Sequence, residues 1–395
     1  MSVDPGIVLN QFVIKATARC NLDCSYCYVF NRRDQSWRTR TRAMSDEVFA
    51  ATVERIRRHC LVSGQTKARL LFHGGEPLLV GPRTLEKWID LARSQLGPVA
   101  EVRFAVQTNG TLITDRWARL LVDNDVEVGI SLDGPPEIND AARVDHAGRG
   151  SHRRVVDGVE HLRAAGAPIN ILTVVPLGAP PDAVLGHLTD LRPNQLHLLL
   201  PDHHHGDIAG IRERFGPTPV ADFLVPAADA WLRADGSPDI PLFRNVCRLL
   251  LGATTRSDTF GNPPLSFVFV EVDGEIEGLD VLRAVGEGLS STGLDIRRDD
   301  FRDIQEASDF HRRVIFSGMP IPQGCRSCPE RSTCAGGYLP HRYSADRGFD
   351  NPSVWCDDIL VLFGHLRRAL GVDADETRLR RKLLDECARN RPWVA

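Results

Sequence analysis

Three cysteines, Cys20, Cys24 and Cys27, fall in the stretch CNLDCSYC with the spacing C-x3-C-x2-C. Four more stand near the other end: Cys325, Cys328 and Cys334 with the spacing C-x2-C-x5-C, and Cys356 22 positions after Cys334. A structural zinc site or a closed iron–sulfur cube takes four thiolates. The distal group supplies four. The proximal group supplies three, which leaves one iron of a cube with an open position, by the logic that separates a catalytic from a structural zinc. The bland alternatives are a zinc knuckle with a distant fourth ligand for the triad and a four-cysteine zinc site for the distal group. Cys60 and Cys387 lie in helical patterns and read, with Cys247, as inert thiols.

The triad needs an element to hold it. Gln11–Lys15 (QFVIK) reads as a buried strand ending just before it, and further strands are expected at Arg69–Phe72, Val102–Val106, Val126–Ser131, Ile169–Val175 and Gln195–Leu200. Between them run patterns of helical period at Asp46–Leu61, Arg83–Gln95, Asp115–Asp123, His152–Ala165 and Asp182–Leu191, with Ser45 as the N-cap of the first. Strands alternating with helices make an α/β protein with a parallel sheet, and the triad then sits on the loop at a strand's C-terminal end, where such folds build their sites. Periodicity alone leaves open a doubly wound sheet or a partial barrel. After Pro201 the pattern changes. A helix is expected near Ala221–Ala234, a hairpin at Phe267–Glu277 turning at Asp273-Gly274, and a helical tail after Cys356. The Cys-, Gly-, Pro- and Arg-rich stretch between Pro320 and Cys356 has little periodicity, so a metal cluster would act as its staple.

The chain has 395 residues and a formal net charge of −4, which gives no general reason to expect nucleic acid or an anionic membrane as partner. No apolar run approaches a membrane span, and the start MSVDPGIVLN lacks the layout of a signal peptide, so a cytoplasmic location is expected. In that reducing compartment ten cysteines are better explained by metal than by disulfides. The first strand begins near residue 10, which leaves no room for a peptide-recognition domain before it. A leader peptide would dock directly on the barrel or the distal module, along an exposed strand edge.

The C-x3-C-x2-C motif, with Tyr26 before its third cysteine, resembles the hallmark of the radical S-adenosylmethionine (SAM) enzymes. In that family the open iron is chelated by SAM, whose reductive cleavage yields a 5′-deoxyadenosyl radical that abstracts hydrogen. Gly74-Gly75-Glu76-Pro77, after the second expected strand, is similar to the family's GGEP motif at the SAM amino group. Two glycines let backbone approach closely, and Glu76 can accept from an ammonium. Gln107-Thr108-Asn109-Gly110 and Ser131-Leu132-Asp133-Gly134 resemble the family's segments near SAM, although both also read as ordinary strand-to-helix turns. By this resemblance Tyr26, Asn109, Ser131 and Asp133 line the SAM site. Arg143 resembles a recurring arginine downstream; a surface charge is its bland reading. The resemblance spans roughly residues 10–200 and implies a partial (β/α)6 TIM-like barrel.

With that core upstream, the distal cysteines look like a SPASM module, the C-terminal unit that binds auxiliary clusters. A full module carries two clusters. Tyr338 and Leu279 stand where further cysteines are expected, so one auxiliary [4Fe–4S] cluster is expected on Cys325, Cys328, Cys334 and Cys356, besides the SAM-binding [4Fe–4S] cluster on the triad. Electron transfer and shaping of the module are its implied roles. The expected organisation is a barrel over residues 1–215, a bridging region over 216–320, the module over 321–356 and a tail over 357–395.

The segment Cys334–Cys356, with Asp280–Leu282 and Ser291–Leu294 (STGL), resembles peptide maturases that form three-residue cyclophanes, joining an aromatic ring carbon to the Cβ of a residue two positions on. A ribosomally made precursor peptide and a reductant such as flavodoxin or ferredoxin are the implied partners. Candidates to take the ring proton are His341, Tyr338, Tyr343 and Asp273, with packing around the cluster as the alternative for each module residue singly. His203-His204-His205 reads as a solvated loop or a lip of the substrate opening. A thioether-forming or sulfatase-type maturase is the competing enzyme, and a metal-stabilised scaffold the competing non-enzyme.

Overall fold

The computed structural model describes residues 9–234 and 237–389. Residue contacts divide the chain into two compact units. The first takes the chain up to Thr173, Asp190–Asn194 and Pro264–Gly318; the second takes Val174–Thr189, Gln195–Pro263 and Met319 onward.

The first unit is a sheet built from strands β1 (Gln11–Thr17), β2 (Lys67–Gly74), β3 (Glu101–Thr108), β4 (Val126–Ser131) and β5 (Ile169–Val174). Their order is β5-β4-β3-β2-β1, and each neighbouring pair is parallel. On the other side of β1 lie β7 (Phe267–Val270), β8 (Glu275–Glu277) and β9 (Ser291–Asp295), numbered to leave β6 for the second unit. β7 pairs in parallel with β1, and β8 and β9 follow antiparallel. The sheet is not closed. The expected hairpin forms, turning through Gly274 at φ 95°. Although the sequence assigned it to a bridging region, its apolar strand FVFV extends the first unit's sheet, because β1 is buried on both faces and needs a partner on each edge.

The helices form where the apolar period places them. Ser45 accepts from the Val48 amide at the start of helix Asp46–Ser63, and Gly64 ends that helix in the left-handed region at φ 70°. Phe49 of this helix and Trp88 of helix Pro82–Leu96 stack at 4.8 Å, with Phe72 and Phe104 from the sheet continuing the stack. Burying each of these side chains contributes about 1.5–3 kcal/mol, which fixes the sheet whose ends carry the site.

The second unit holds β6 (Gln195–Leu199), the sixth expected strand, and helices Pro219–Arg233, Pro241–Leu250, Cys356–Leu370 and Ala374–Arg389. Asp358 accepts from the Val220 and Ala221 amides at 2.8 and 2.9 Å, satisfying donors at the start of helix Pro219–Arg233. The expected helical tail is two helices, separated where Gly371 adopts φ 65°. The cysteine-rich stretch has only short 3₁₀ turns and is anchored by Trp355, whose buried indole donates to Pro201 O at 3.0 Å. No described helix is long and apolar enough to cross a membrane.

Candidate cofactor site

The cysteine triad lies on the loop that leaves the C-terminal end of β1. The amides of Gly75 and Glu76 donate back to Thr17 O and Arg19 O at 2.8 and 2.9 Å. Here the need for glycine is explicit. A Cβ on Gly74 would stand 2.3 Å from Thr17 O, and one on Gly75 2.3 Å from Arg19 O. The GG pair of GGEP therefore lets the cysteine loop's own backbone lie against the end of β2. Pro77 opens the short helical turn that follows.

Glu76 is fully buried, and its carboxylate accepts from the Thr108 hydroxyl (2.7 Å), the Asn109 amide (2.8 Å) and the Leu78 amide (3.0 Å). It thus ties the β2 loop to the end of β3. Burial raises its pKa, against those three donors. Asn109 in turn donates from its side chain to Asn21 Oδ1 at 2.9 Å and to Cys20 Sγ at 3.7 Å. Tyr26 is clamped on the other side. Its hydroxyl bonds to Asp133 and accepts from Arg143 Nη1 at 2.7 Å. Arg143 is buried, and its Nε has no partner, so the bland surface reading of this arginine does not hold. Ser131 accepts from Gln107 Nε2 at 2.9 Å.

The three thiols interact electrostatically with one another. Burial, with the neighbouring Glu76, pushes Cys20 up to about 12; burial pushes Cys24 up to about 11 and raises Cys27. Half-buried thiols that would repel one another when ionised form a donor set that a cationic iron core would ionise and neutralise. Three such donors fit a cube that leaves one iron open.

One group of residues escaped the sequence reading. Lys15 on β1 and His73 on β2 are register partners, with Lys15 Nζ 3.5 Å from His73 Nδ1. Lys15 also pairs with the buried Asp280, which accepts from the Tyr28 hydroxyl at 2.8 Å. Burial and the Lys15 charge push His73 down to about 4. Asp280 is lowered, because Lys15 and its other partners outweigh its burial. A lysine inside the apolar strand QFVIKAT was the signal available.

In the second unit, Cys325, Cys328, Cys334 and Cys356 line one cavity of about 320 Å³, with Glu330, Gly336 and Ser353 among its other walls. Burial and the other thiols raise Cys334, and push Cys356 up to about 11. Among the described residues no His, Cys, Asp or Glu side chains converge as a ligand set for a single metal ion. Four thiols around a cavity are the donor set of a fully ligated cube. Leu279 is buried, Tyr338 packs edge-on against His341, and Cys60 and Cys247 lie in separate helices. Cys387 falls in the last helix, and its side chain lies outside the described residues.

The proton-acceptor candidates divide. Asp273, in the first unit, is held by Arg40 at 2.7 and 2.9 Å, a structural ion pair. Tyr338, His341 and Tyr343 are in the second unit. His341 is fully buried, with neither ring nitrogen hydrogen-bonded and Nε2 3.7 Å from Asp202. Tyr343 packs on Phe349 and His204. The three histidines are less free than a solvated loop implies: His203 pairs with Asp207 at 3.1 Å, and His204 is buried.

Residues 14–191 match the family described as the Radical SAM superfamily. They are a Radical SAM domain. Its triad, GGEP loop and Tyr26–Asp133–Arg143 clamp all lie within that match. The cysteine-type anaerobic sulfatase-maturating enzyme of Clostridium perfringens is 34% identical over 167 residues, covering 42% of this chain and 44% of that protein. The serine-type enzyme of Bacteroides thetaiotaomicron is 32% identical over 160 residues, covering 40% and 37%. The chain thus matches less than half the length of these relatives. The solved structure of native anSMEcpe with bound AdoMet superposes with a TM-score of 0.77 at 22% identity, covering 94% of this chain and 99% of that one. Streptococcus suis SuiB bound to precursor peptide SuiA gives 0.53 at 16%, covering 85% and 72%. At those identities the likeness is one of fold, and it extends through both units.

Proposed function

We propose that the chain is a radical SAM peptide maturase that removes hydrogen from a side-chain Cβ of a ribosomally made precursor peptide and joins that carbon to an aromatic ring, forming a cyclophane. The observation that carries the radical SAM part is the loop of three half-buried thiols, held by Glu76 and Asn109 within residues matched to the Radical SAM superfamily. A [4Fe–4S] cluster on Cys20, Cys24 and Cys27, with SAM bound, would supply a one-electron cleavage and a carbon radical able to abstract unactivated hydrogen.

The chain's own residues orient and neutralise. Tyr26, fixed between Asp133 and Arg143, presents a rigid aromatic wall beside the third cysteine. Ser131 and Asn109 offer polar side chains at the strand ends for the ribose and amino-acid portions of SAM. Burial and the Lys15 charge keep His73 uncharged, and Lys15 keeps Asp280 ionised, at neutral pH, so both are proton-free. Crosslinking removes one hydrogen atom, then one electron and one proton from the ring. Asp280 and His73 in the first unit, both weak bases, and His341 in the second are the candidates to receive that proton. Cys325, Cys328, Cys334 and Cys356 would hold the auxiliary cluster, with the electron as its share. A small redox protein such as flavodoxin or ferredoxin would reduce the proximal site.

The cyclophane product rests on the texture of Cys334–Cys356 and on Leu279 and Tyr338, which leave cysteines for one auxiliary cluster. A second reading, a sulfatase-type maturase acting on cysteine or serine, is favoured by the names of the matched relatives. Co-expression with a candidate precursor peptide tests both. A loss of two hydrogens located by tandem mass spectrometry between an aromatic residue and the residue two positions on supports the cyclophane. Oxidation confined to one cysteine or serine supports the second reading. An unaltered peptide beside intact SAM after reduction refutes both.

A further inference from the structure

Among the arginines near the distal thiols, Arg342 is anomalous. It closes the short turn Leu339–Arg342 and is 3% exposed. Its Nε and Nη2 donate to the carbonyls of Phe349 (3.0 Å) and Pro320 (2.9 Å), which lock the guanidinium in place. No carboxylate of the described residues forms an ion pair with it. The other cations are accounted for. Arg367 holds Glu330, a wall of the cavity, through both carboxylate oxygens at 2.6 and 2.9 Å. Arg212 pairs with Asp357 at 3.4 Å. Arg331 is exposed. A buried guanidinium without a counter-charge is strongly disfavoured, and its burial pushes this one down to about 10.

The missing anion is inferred from the side chain's neighbours. The ionisable groups close enough to act on Arg342 are Cys325, the exposed Asp350 and Cys334. Its Cδ comes within 3.7 Å of where a Cβ on Gly336 would stand, and Gly336 lines the four-cysteine cavity. A cube with four thiolates is a dianion when oxidised and a trianion when reduced, so its charge increases by one unit as one electron enters and no bond changes.

We propose that Arg342 is a positioning residue for the distal cluster: a pre-placed, unpaired cation that neutralises the anionic cube and raises its reduction potential. The proposal rests on the reading that the four distal cysteines hold iron. Removing a fixed positive charge disfavours the reduced state most, so the potential falls in Arg342→Gln. Lysine keeps the charge.

The test uses the full chain carrying alanine at Cys20, Cys24 and Cys27, reconstituted anaerobically, so that only the distal cluster contributes. Iron is counted, and the midpoint is measured by dye-mediated titration with electron paramagnetic resonance. Arg342→Gln is expected to weaken reduction at least tenfold, a fall of 59 mV or more for one electron, while Arg342→Lys stays near the parent. A Gln midpoint equal to the parent's, or an equal fall in both variants, overturns the proposal. If Gln retains too little iron to titrate, retention in Lys supports the charge role, and equal loss in both overturns it. If the parent itself carries no iron, the reading of the four cysteines fails, and the role of Arg342 with it.

Discussion

Arg283→Met tests how the first unit holds the return of the cysteine loop. Arg283 is 2% exposed; its guanidinium pairs with Glu277 and with Glu271 at 3.0 Å, bonds the Ser36 hydroxyl at 2.8 Å and lies 3.7 Å from Asp34. Ser36 and Asp34 belong to the segment that leaves the triad, and the two glutamates belong to β7–β8 and its flank. Arg40 reaches the same carboxylates, at 3.0 Å to Glu277 and 3.9 Å to Glu271. Removing one member of a buried ion pair costs about 3–5 kcal/mol, and with Arg40 still present the lower end, about 3 kcal/mol, is expected. The pH dependence follows from the carboxylates left behind. Burial and the adjacent Glu271 already push Glu277 up to about 8, and losing Arg283 raises it further. A carboxyl whose folded pKa exceeds its unfolded value binds its proton more tightly in the folded state. Stability is therefore retained below about 4.3, the unfolded value, and lost as pH rises through the folded one. The deficit of the variant should be small at pH 5 and grow as pH rises past about 8, where Glu277 ionises beside Arg283 in the parent and stays protonated in the variant. Urea unfolding of the reduced protein, followed by circular dichroism, measures it. The double variant Arg283→Met/Glu277→Gln should recover about 1 kcal/mol or more. A deficit under about 1 kcal/mol at about pH 9, or one that does not change with pH, would falsify the reasoning.

Asn109→Ala removes the donor to Cys20 Sγ and the bridge to Asn21; reductive SAM cleavage should fall roughly 10–100-fold, read as 5′-deoxyadenosine per iron, while the distal cluster's spectrum stays unchanged. Tyr26→Phe keeps the ring and loses the hydroxyl between Asp133 and Arg143. It should weaken SAM binding in calorimetry while iron content holds, and equal affinity would discard the clamp. Lys15→Met takes away the charge that depresses His73, so the His73 imidazole should titrate above its present value of about 4, as followed by NMR. Cleaved SAM should then outnumber modified peptide, and an unchanged ratio would remove Lys15, His73 and Asp280 from the proton path.

Much of the frame was legible because it depends on local rules. Val126–Ser131 and Asp115–Asp123 form with the bounds read from the sequence, and Ser45 caps the helix it was expected to cap. Cysteine spacing singled out both thiol groups, which the structure gathers on one loop and around one cavity, since ligand chemistry constrains residue type and separation together. What stayed hidden depends on contacts across the chain. Helix Ile208–Phe215 has no buried residue, so no apolar period marked it. Strand β9 is half polar and is held by β8 through a bulge. The glycines of GGEP were read as letting backbone approach closely, but which backbone was hidden: it is that of Thr17 and Arg19, a contact between loops 55 or more residues apart that no local pattern encodes. Asp280 entered the sequence reading only as part of a family-like segment, and its pairing with Lys15 and Tyr28 depends on contacts across the chain.

The surroundings of the two thiol sets differ in a way that bears on their division of labour. Around the triad the buried cations of the described residues have anions in the chain: Arg143 has Asp133, through the neutral Tyr26 hydroxyl, and Lys15 has Asp280. A cofactor that brings its own positive sulfonium would be repelled by an unpaired guanidinium there, and the local charges are balanced before it arrives. Around the distal set the balance is left open at Arg342, which would suit an anionic cluster with no cationic guest. The arrangement predicts opposite responses to one kind of change. Adding an unpaired cation beside the triad, as Asp133→Asn would by freeing Arg143, should weaken SAM binding, whereas deleting the cation at the distal set should leave SAM binding untouched and lower only the distal potential.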